Sequence, residues 1–242
     1  MEIRIQACSS RDYLQTLTYV KKQGATVRAF VDETTYYKTR NPLRLKGLVD
    51  NFMEMAKTPI EDPENNGVMV SVQDDTIPAD NFVEACREIV KHMPRKCVVQ
   101  GMTLNTTTTK RDEYERTGNH LVRITSLAAT NLFIPQELMA EYDEWLETID
   151  GKDVMMVDGK KYFVWDGDKI CGEDTAIQKF CLKHKYPMFA IFPNLIQHVG
   201  IESTIGNNWN YKGRNRASSL YLKDYDFSQI DWAEEFRKAL NG

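Results

Sequence analysis

The side chains best suited to chemistry in this 242-residue chain fall in four short runs. The first is Asp74-Asp75, directly after the apolar run 68–72. Adjacent carboxylates repel each other, and a divalent cation with oxygen ligands is the usual remedy. The same pair also reads as the polar entry to a following helix, where aspartates serve as caps. The second run is Gly172-Glu173-Asp174, at the start of an amphipathic segment. Acidic residues there gain from the helix dipole, and a carboxylate is also a candidate general base. In the third, Pro193-Asn194-Leu195-Ile196-Gln197-His198-Val199-Gly200, an apolar strand ends in one of only four histidines, either a ligand or a simply hydrogen-bonded ring. The fourth sets Lys212, Arg214 and Arg216 among Trp209, Tyr211 and Tyr221, a set of phosphate contacts or a solvated surface.

Those runs need elements to hold them. Residues 2–8 put Ile3, Ile5 and Ala7 on one face of a strand; Leu14, Leu17 and Val20 follow at helical spacing, with Gly24 where a carboxyl cap belongs. A second strand, 27–31, ends at Asp32, and Pro42 opens a helix with the apolar face Leu45, Leu48, Val49, Phe52 and Ala56. The strand 68–72 delivers Gln73-Asp74-Asp75; a helix from about residue 79 buries Phe82, Cys86, Ile89 and Val90, and 97–99 is a further strand. This β-α-β-α-β-α-β opening predicts an α/β domain with a largely parallel sheet, in which ligands collect at the carboxyl ends of the strands. Farther on, 105–119, with its threonine run and charges, reads as a mobile loop, and 186–196 as one buried strand. Asp158-Gly159 between the apolar runs 154–157 and 162–165 signals a hairpin, and helices are expected over 136–147, 173–184 and 231–240.

Composition sets outer bounds. The length fits one domain, and 42% hydrophobic with 27% charged residues excludes disorder. The longest apolar stretch, 186–196, is too short to span a bilayer. A net charge of −4 leans away from a domain built to neutralise phosphates. Five cysteines without Cys-x-x-Cys spacing signal neither a disulfide framework nor a zinc cluster. Charges at Glu2, Arg4, Arg11 and Asp12 stand where a secretory signal needs an apolar run, so the expectation is a cytoplasmic, soluble chain.

Taken in order, these elements and motifs resemble the GT-A family of nucleotide-sugar glycosyltransferases over most of the chain. Val70-Ser71-Val72-Gln73-Asp74-Asp75 is similar to that family's acidic metal-binding motif, as Gln-Asp-Asp instead of a separated Asp-x-Asp. Gly172-Glu173-Asp174 is similar to its later Glu-Asp motif, and 193–200 resembles its P-x-L-x-Q-H-x-G segment. Arg216-Ala217-Ser218-Ser219 followed by Asp224-Tyr225-Asp226-Phe227 is similar to the tail after that segment. The resemblance implies a GT-A type (Rossmann-like) mixed sheet flanked by helices, with an extra hairpin and a basic carboxyl-terminal tail. It implies one domain: residues 1–100 a nucleotide-binding half, 101–206 an acceptor and catalytic half, and 207–242 a tail closing over the donor.

The resemblance further implies Asp75 and His198 as ligands of a divalent metal, Mn2+ or Mg2+, with Asp74 on the donor's ribose or the ion's water shell. Asp32 would meet the nucleobase or ribose, flanked by Ser9, Ser10 and Arg11, while Lys212, Arg214 and Arg216 would hold the diphosphate. Asp174 becomes the base that takes a proton from an acceptor hydroxyl, and Glu173 orients the acceptor or sugar. The implied activity is transfer of a sugar, with inversion, from a nucleotide diphosphate donor (a UDP-sugar first) to a glycan or other soluble hydroxyl compound. The stretch 124–133 lacks the glycine-rich loop of many members, and Ser126-Leu127-Ala128-Ala129 is a small-residue substitute.

Other readings stay open. One is a viral-type DNA glycosyltransferase acting on hydroxymethylated bases, with Lys110, Arg111 and Arg116 as further phosphate contacts. A sugar nucleotidyltransferase would need a glycine-rich phosphate loop, which Gln6-Ala7-Cys8-Ser9-Ser10-Arg11 lacks. The last is a non-catalytic nucleotide-sugar-binding module.

Overall fold

The computed structural model describes residues 1–9, 13–33, 43, 45–103, 108–128, 130–165, 169–199 and 218–241. The strand and helix patterns of the first hundred residues become β1 (Glu2–Cys8), α1 (Leu14–Lys22), β2 (Thr26–Asp32), α2 (Lys46–Lys57), β3 (Val68–Gln73), β4 (Thr76–Pro78), α3 (Phe82–His92) and β5 (Val98–Gln100). The chain continues through α4 (Thr108–Thr117), β6 (Leu121–Ile124), β7 (Asn131–Pro135), α5 (Gln136–Thr148), β8 (Val154–Val157), β9 (Lys160–Trp165) and β10 (Lys169–Ile170). It closes with α6 (Glu173–His184), β11 (Met188–Ile191), β12 (Ile196–His198) and α7 (Trp232–Asn241).

Seven strands form one sheet in the order β2-β1-β3-β7-β5-β11-β6. β2, β1 and β3 run parallel, as do β5 and β11, whereas β7 lies antiparallel between β3 and β5, and β6 antiparallel to β11. The sheet is therefore mixed, as the resemblance implied, and not largely parallel as the strand and helix alternation alone predicted.

Helices cover both faces. On one, Val20 of α1, Phe82 and Ile89 of α3, and Trp232 and Phe236 of α7 pack on Ile3, Val70 and Val72. On the other, Phe52 and Met55 of α2, Leu138 and Tyr142 of α5, and Ile177 and Phe180 of α6 pack on Met69, Leu132 and Ala190. Each such large apolar side chain contributes about 1.5–3 kcal/mol by leaving water. The face of β1 opposite Ile3 and Ile5 is equally buried but polar. Arg4 is only 1% exposed, ion-paired to Glu2 at 2.6 Å, and its guanidinium donates to the carbonyls of Met55, Thr58 (2.7 Å) and Pro59 (2.9 Å) at the carboxyl end of α2.

The hairpin forms as expected: β8 and β9 pair antiparallel, and Asp158 (φ 51°) and Gly159 (φ 78°) make the left-handed two-residue turn that matches strand twist. Three local expectations are corrected. The segment 105–119 is not a loop throughout: it contains α4, whose Lys110–Glu113 (2.9 Å) and Arg111–Glu115 (3.3 Å) pairs have helical spacing. The run 186–196 is not one strand. β11 stops before Pro193, which has no N–H for a ladder, and β12 resumes in a separate two-stranded sheet with β4. In α1, Leu14 is 60% exposed, and Thr16 and Val20 form the buried face.

None of the five cysteines is in a disulfide, and all are buried. Among the described residues no helix is long and apolar enough to cross a membrane.

Candidate functional site

The parallel strands β2, β1 and β3 end together. Cys8 is in register with Asp32 and Gln6 with Gln73, so Ser9, Asp32 and Asp74 emerge at one edge of the sheet. The Ser9 N–H donates to the Asp32 carbonyl at 2.9 Å, and the Cys8 N–H to Asp74 Oδ2 at 2.9 Å. One carboxylate oxygen of Asp74 thus ties the end of β1 to the turn that follows β3. Asp74 and Asp75 form that turn, which α1 supports: the Thr16 hydroxyl lies 2.8 Å from the Asp74 carbonyl and 2.7 Å from that of Thr76. The pair is a tight turn at a strand end, and the turn presents Asp75.

His198 reaches the same place from far along the chain. β12 pairs antiparallel with β4, setting His198 opposite Thr76, and the Val199 N–H donates to the Asp75 carbonyl at 2.9 Å. The ladder brings His198 Nε2 to 3.1 Å from Asp75 Oδ2, with the two side chains 1% and 9% exposed. Despite this proximity, neither ring nitrogen of His198 makes a directed hydrogen bond. Neighbouring ligands of an octahedral cation with bonds of 2.0–2.1 Å stand about 3 Å apart, so the separation fits a shared hard cation. The carboxylate oxygen suits manganese or magnesium, and the imidazole nitrogen favours a transition ion such as manganese over magnesium. Among the described residues no group of three or more His, Cys, Asp or Glu side chains gathers to hold a metal. Two protein ligands match the way magnesium is commonly bound, with substrate phosphates and water completing the shell.

β12 is braced from behind. The Ser218 hydroxyl donates to the Ile196 carbonyl at 2.6 Å, the Ser219 N–H to the Thr103 carbonyl at 2.8 Å, and the Asn194 amide to the Ile191 carbonyl at 2.8 Å. Ser218 and Ser219, read in the sequence only as part of the tail, thereby hold the histidine strand in place.

Glu173 and Asp174 open α6. Glu173 is 2% exposed, its Oε1 is buried without a hydrogen-bond partner, and no cation among the described residues lies within ion-pair distance of it. Burial, then the charge of Asp174, pushes its carboxyl up from 4.5 to about 8, against smaller opposing pulls from its own backbone N–H and the Gln6 amide. The helix end favours the ionised form by up to about 2 kcal/mol. Desolvation of an unpaired carboxylate costs several kcal/mol and wins. Asp174 is half-buried, and its Oδ1 accepts the Thr175 N–H at 2.6 Å. Gln6 links this pair to the strand ends: its side-chain amide acts on the Glu173 carboxyl, and its backbone carbonyl accepts the Asp74 N–H at 3.1 Å. Gln6 and Thr16 escaped the sequence reading: Gln6 follows Glu2 and Arg4 on a strand face whose polarity reads as solvent-exposed, and Thr16 supports carbonyls far off in the chain.

The segment standing in for a glycine-rich loop is held at two backbone amides, Leu127 N–H to Gln178 Oε1 (3.2 Å) and Ala128 N–H to Gln100 Oε1 (2.8 Å). Ser10, Arg11, Lys212, Arg214 and Arg216 lie outside the described residues. No protein-family model matches the chain, and no curated protein matches it. Among solved structures the chain is similar to A197 from STIV, with 13% identity, a TM-score of 0.42, and coverage of 82% of this chain and 85% of that one.

Proposed function

We propose that the protein is a metal-dependent glycosyltransferase of the GT-A type, moving a sugar from a nucleotide diphosphate donor to an acceptor hydroxyl with inversion. The observation that carries this reading is the approach of His198 to Asp75, 3.1 Å apart, at the sheet edge where β1, β2 and β3 deliver Ser9, Asp32 and Asp74. Ligands of open α/β sheets collect at such an edge.

In this reading Asp75 and His198 hold manganese or magnesium, and Ser9 and Asp32 take the nucleoside of a UDP-sugar. When bound, the ion neutralises charge on the departing diphosphate. Asp74 holds the end of β1 and stands beside the ribose or the ion's water shell. Asp174, the more accessible carboxylate of its pair, takes the acceptor's proton as that oxygen bonds to the anomeric carbon and the bond to the diphosphate breaks. The acceptor proposed is a glycan or another soluble hydroxyl compound.

The test is a panel of nucleotide sugars, each followed by thermal stability and by release of nucleoside diphosphate, with and without manganese. One donor should raise the melting temperature only with the metal, and Asp75→Asn should remove that rise. Asp174→Asn should keep the rise and lose turnover by about 10²–10⁴-fold. If no nucleotide sugar stabilises the protein more with manganese than without it, the reading fails.

A further inference from the structure

Glu173 contrasts with two other buried charged groups. Arg4 is ion-paired to Glu2, and Glu235 accepts the backbone amides of His120 and Leu121, whereas Glu173 Oε1 is buried with neither. The groups facing Glu173 are few. Asp174 is its neighbour on α6; Gln6 approaches from β1 and Tyr142 from α5, with Cys171 on the segment before α6. Lys179, one helical step farther along α6, acts on Cys171. None of the described cations pairs with Glu173, and an ionised carboxylate there would sit desolvated beside a second one.

We propose that Glu173 keeps its proton in the folded protein at neutral pH, so that the Glu173-Asp174 pair carries one negative charge, on Asp174. Glu173 is then a positioning residue. Its neutral carboxyl lets Asp174 stand at the helix start as the only anion, where a second charge would raise the affinity of Asp174 for a proton and repel an incoming diphosphate. The protonation state stands whether or not sugar is transferred; its role in making Asp174 the single base rests on the transferase reading.

The full-length protein carrying 13C-carboxyl-labelled glutamate decides the matter by NMR titration, with Glu173→Gln identifying the resonance. The expected result is one glutamate carboxyl that keeps the protonated chemical shift at neutral pH, is missing from Glu173→Gln, and titrates at lower pH in Asp174→Asn. If Glu173→Gln does not fold, the response to Asp174→Asn alone identifies the resonance. A Glu173 signal that titrates with the exposed glutamates overturns the proposal. Nucleoside diphosphate release by wild-type protein separates the two ideas: a high Glu173 midpoint without release removes the transferase reading alone, and release with an ordinary midpoint removes this proposal alone.

Discussion

The N–H of Val199 donates to the carbonyl of Asp75 at 2.9 Å, fixing the register in which the preceding histidine meets the Asp75 carboxylate. The contact is made by backbone, between a strand and a turn that are distant in sequence. A candidate ligand pair is thus held by main-chain geometry, and its side chains need not hold each other.

Loss of either candidate ligand should be felt in metal affinity before it is felt in the fold. Asp75→Asn and His198→Gln are each expected to weaken manganese binding, measured calorimetrically with nucleoside diphosphate present, by more than about 10-fold, since even outer-shell partners of a metal are worth about 10–100-fold. Circular dichroism should show both variants folded. Affinity equal to wild type in both would remove the site.

Thr16→Val retains shape and deletes the hydroxyl shared between the Asp74 and Thr76 carbonyls. Leaving those buried acceptors short of a donor should cost about 1–3 kcal/mol in urea denaturation. Thr16→Ser should recover most of it, and a Val variant as stable as wild type would show that the turn does not need α1.

Arg4→Met leaves Glu2 buried without its partner and strips the guanidinium from three carbonyls at the end of α2. A loss of about 3–5 kcal/mol is expected. The double variant Glu2→Gln with Arg4→Met should lose less, because no unpaired charge remains. Equal losses would mean that the carbonyl contacts, and not the ion pair, matter most.

Glu173 sets a pH dependence with a defined sign. Below its ordinary value of 4.5 both folded and unfolded chains hold the proton, and its contribution is fully present. Between 4.5 and about 8 the unfolded chain ionises while the folded one does not, so stability falls as pH rises and levels off above that window. Glu173→Gln does not titrate, and its stability relative to wild type should rise across the window by on the order of a few kcal/mol. Denaturant midpoints at several pH values check this, and parallel curves would contradict it.

Much of the scaffold was readable because periodicity is local. β1, β2, β3, α5 and α6 follow from apolar spacing, and the Asp158-Gly159 turn from the left-handed backbone it requires. The strand break at Pro193 and the short β4 were harder, because β4 becomes a strand only by pairing with β12, a partner known once the chain has folded. α4 was hidden by its threonine run, although its salt-bridge spacing was present in Lys110, Arg111, Glu113 and Glu115. At the site, Asp75 and His198 were legible as residue types at strand ends. The support from Thr16, Gln6, Ser218 and Ser219 was not, since polar side chains that satisfy distant backbone groups leave no periodic trace.

Glu235 of α7 accepts the backbone N–H groups of His120 and Leu121, where β6 forms one border of the seven-stranded sheet. A border strand is a template on which a foreign strand can grow. With a buried carboxylate on the first donor of β6 and on the one just before it, α7 should act as a stopper against polymerisation, and shortening the chain before α7 should expose an adhesive rim as well as part of the core.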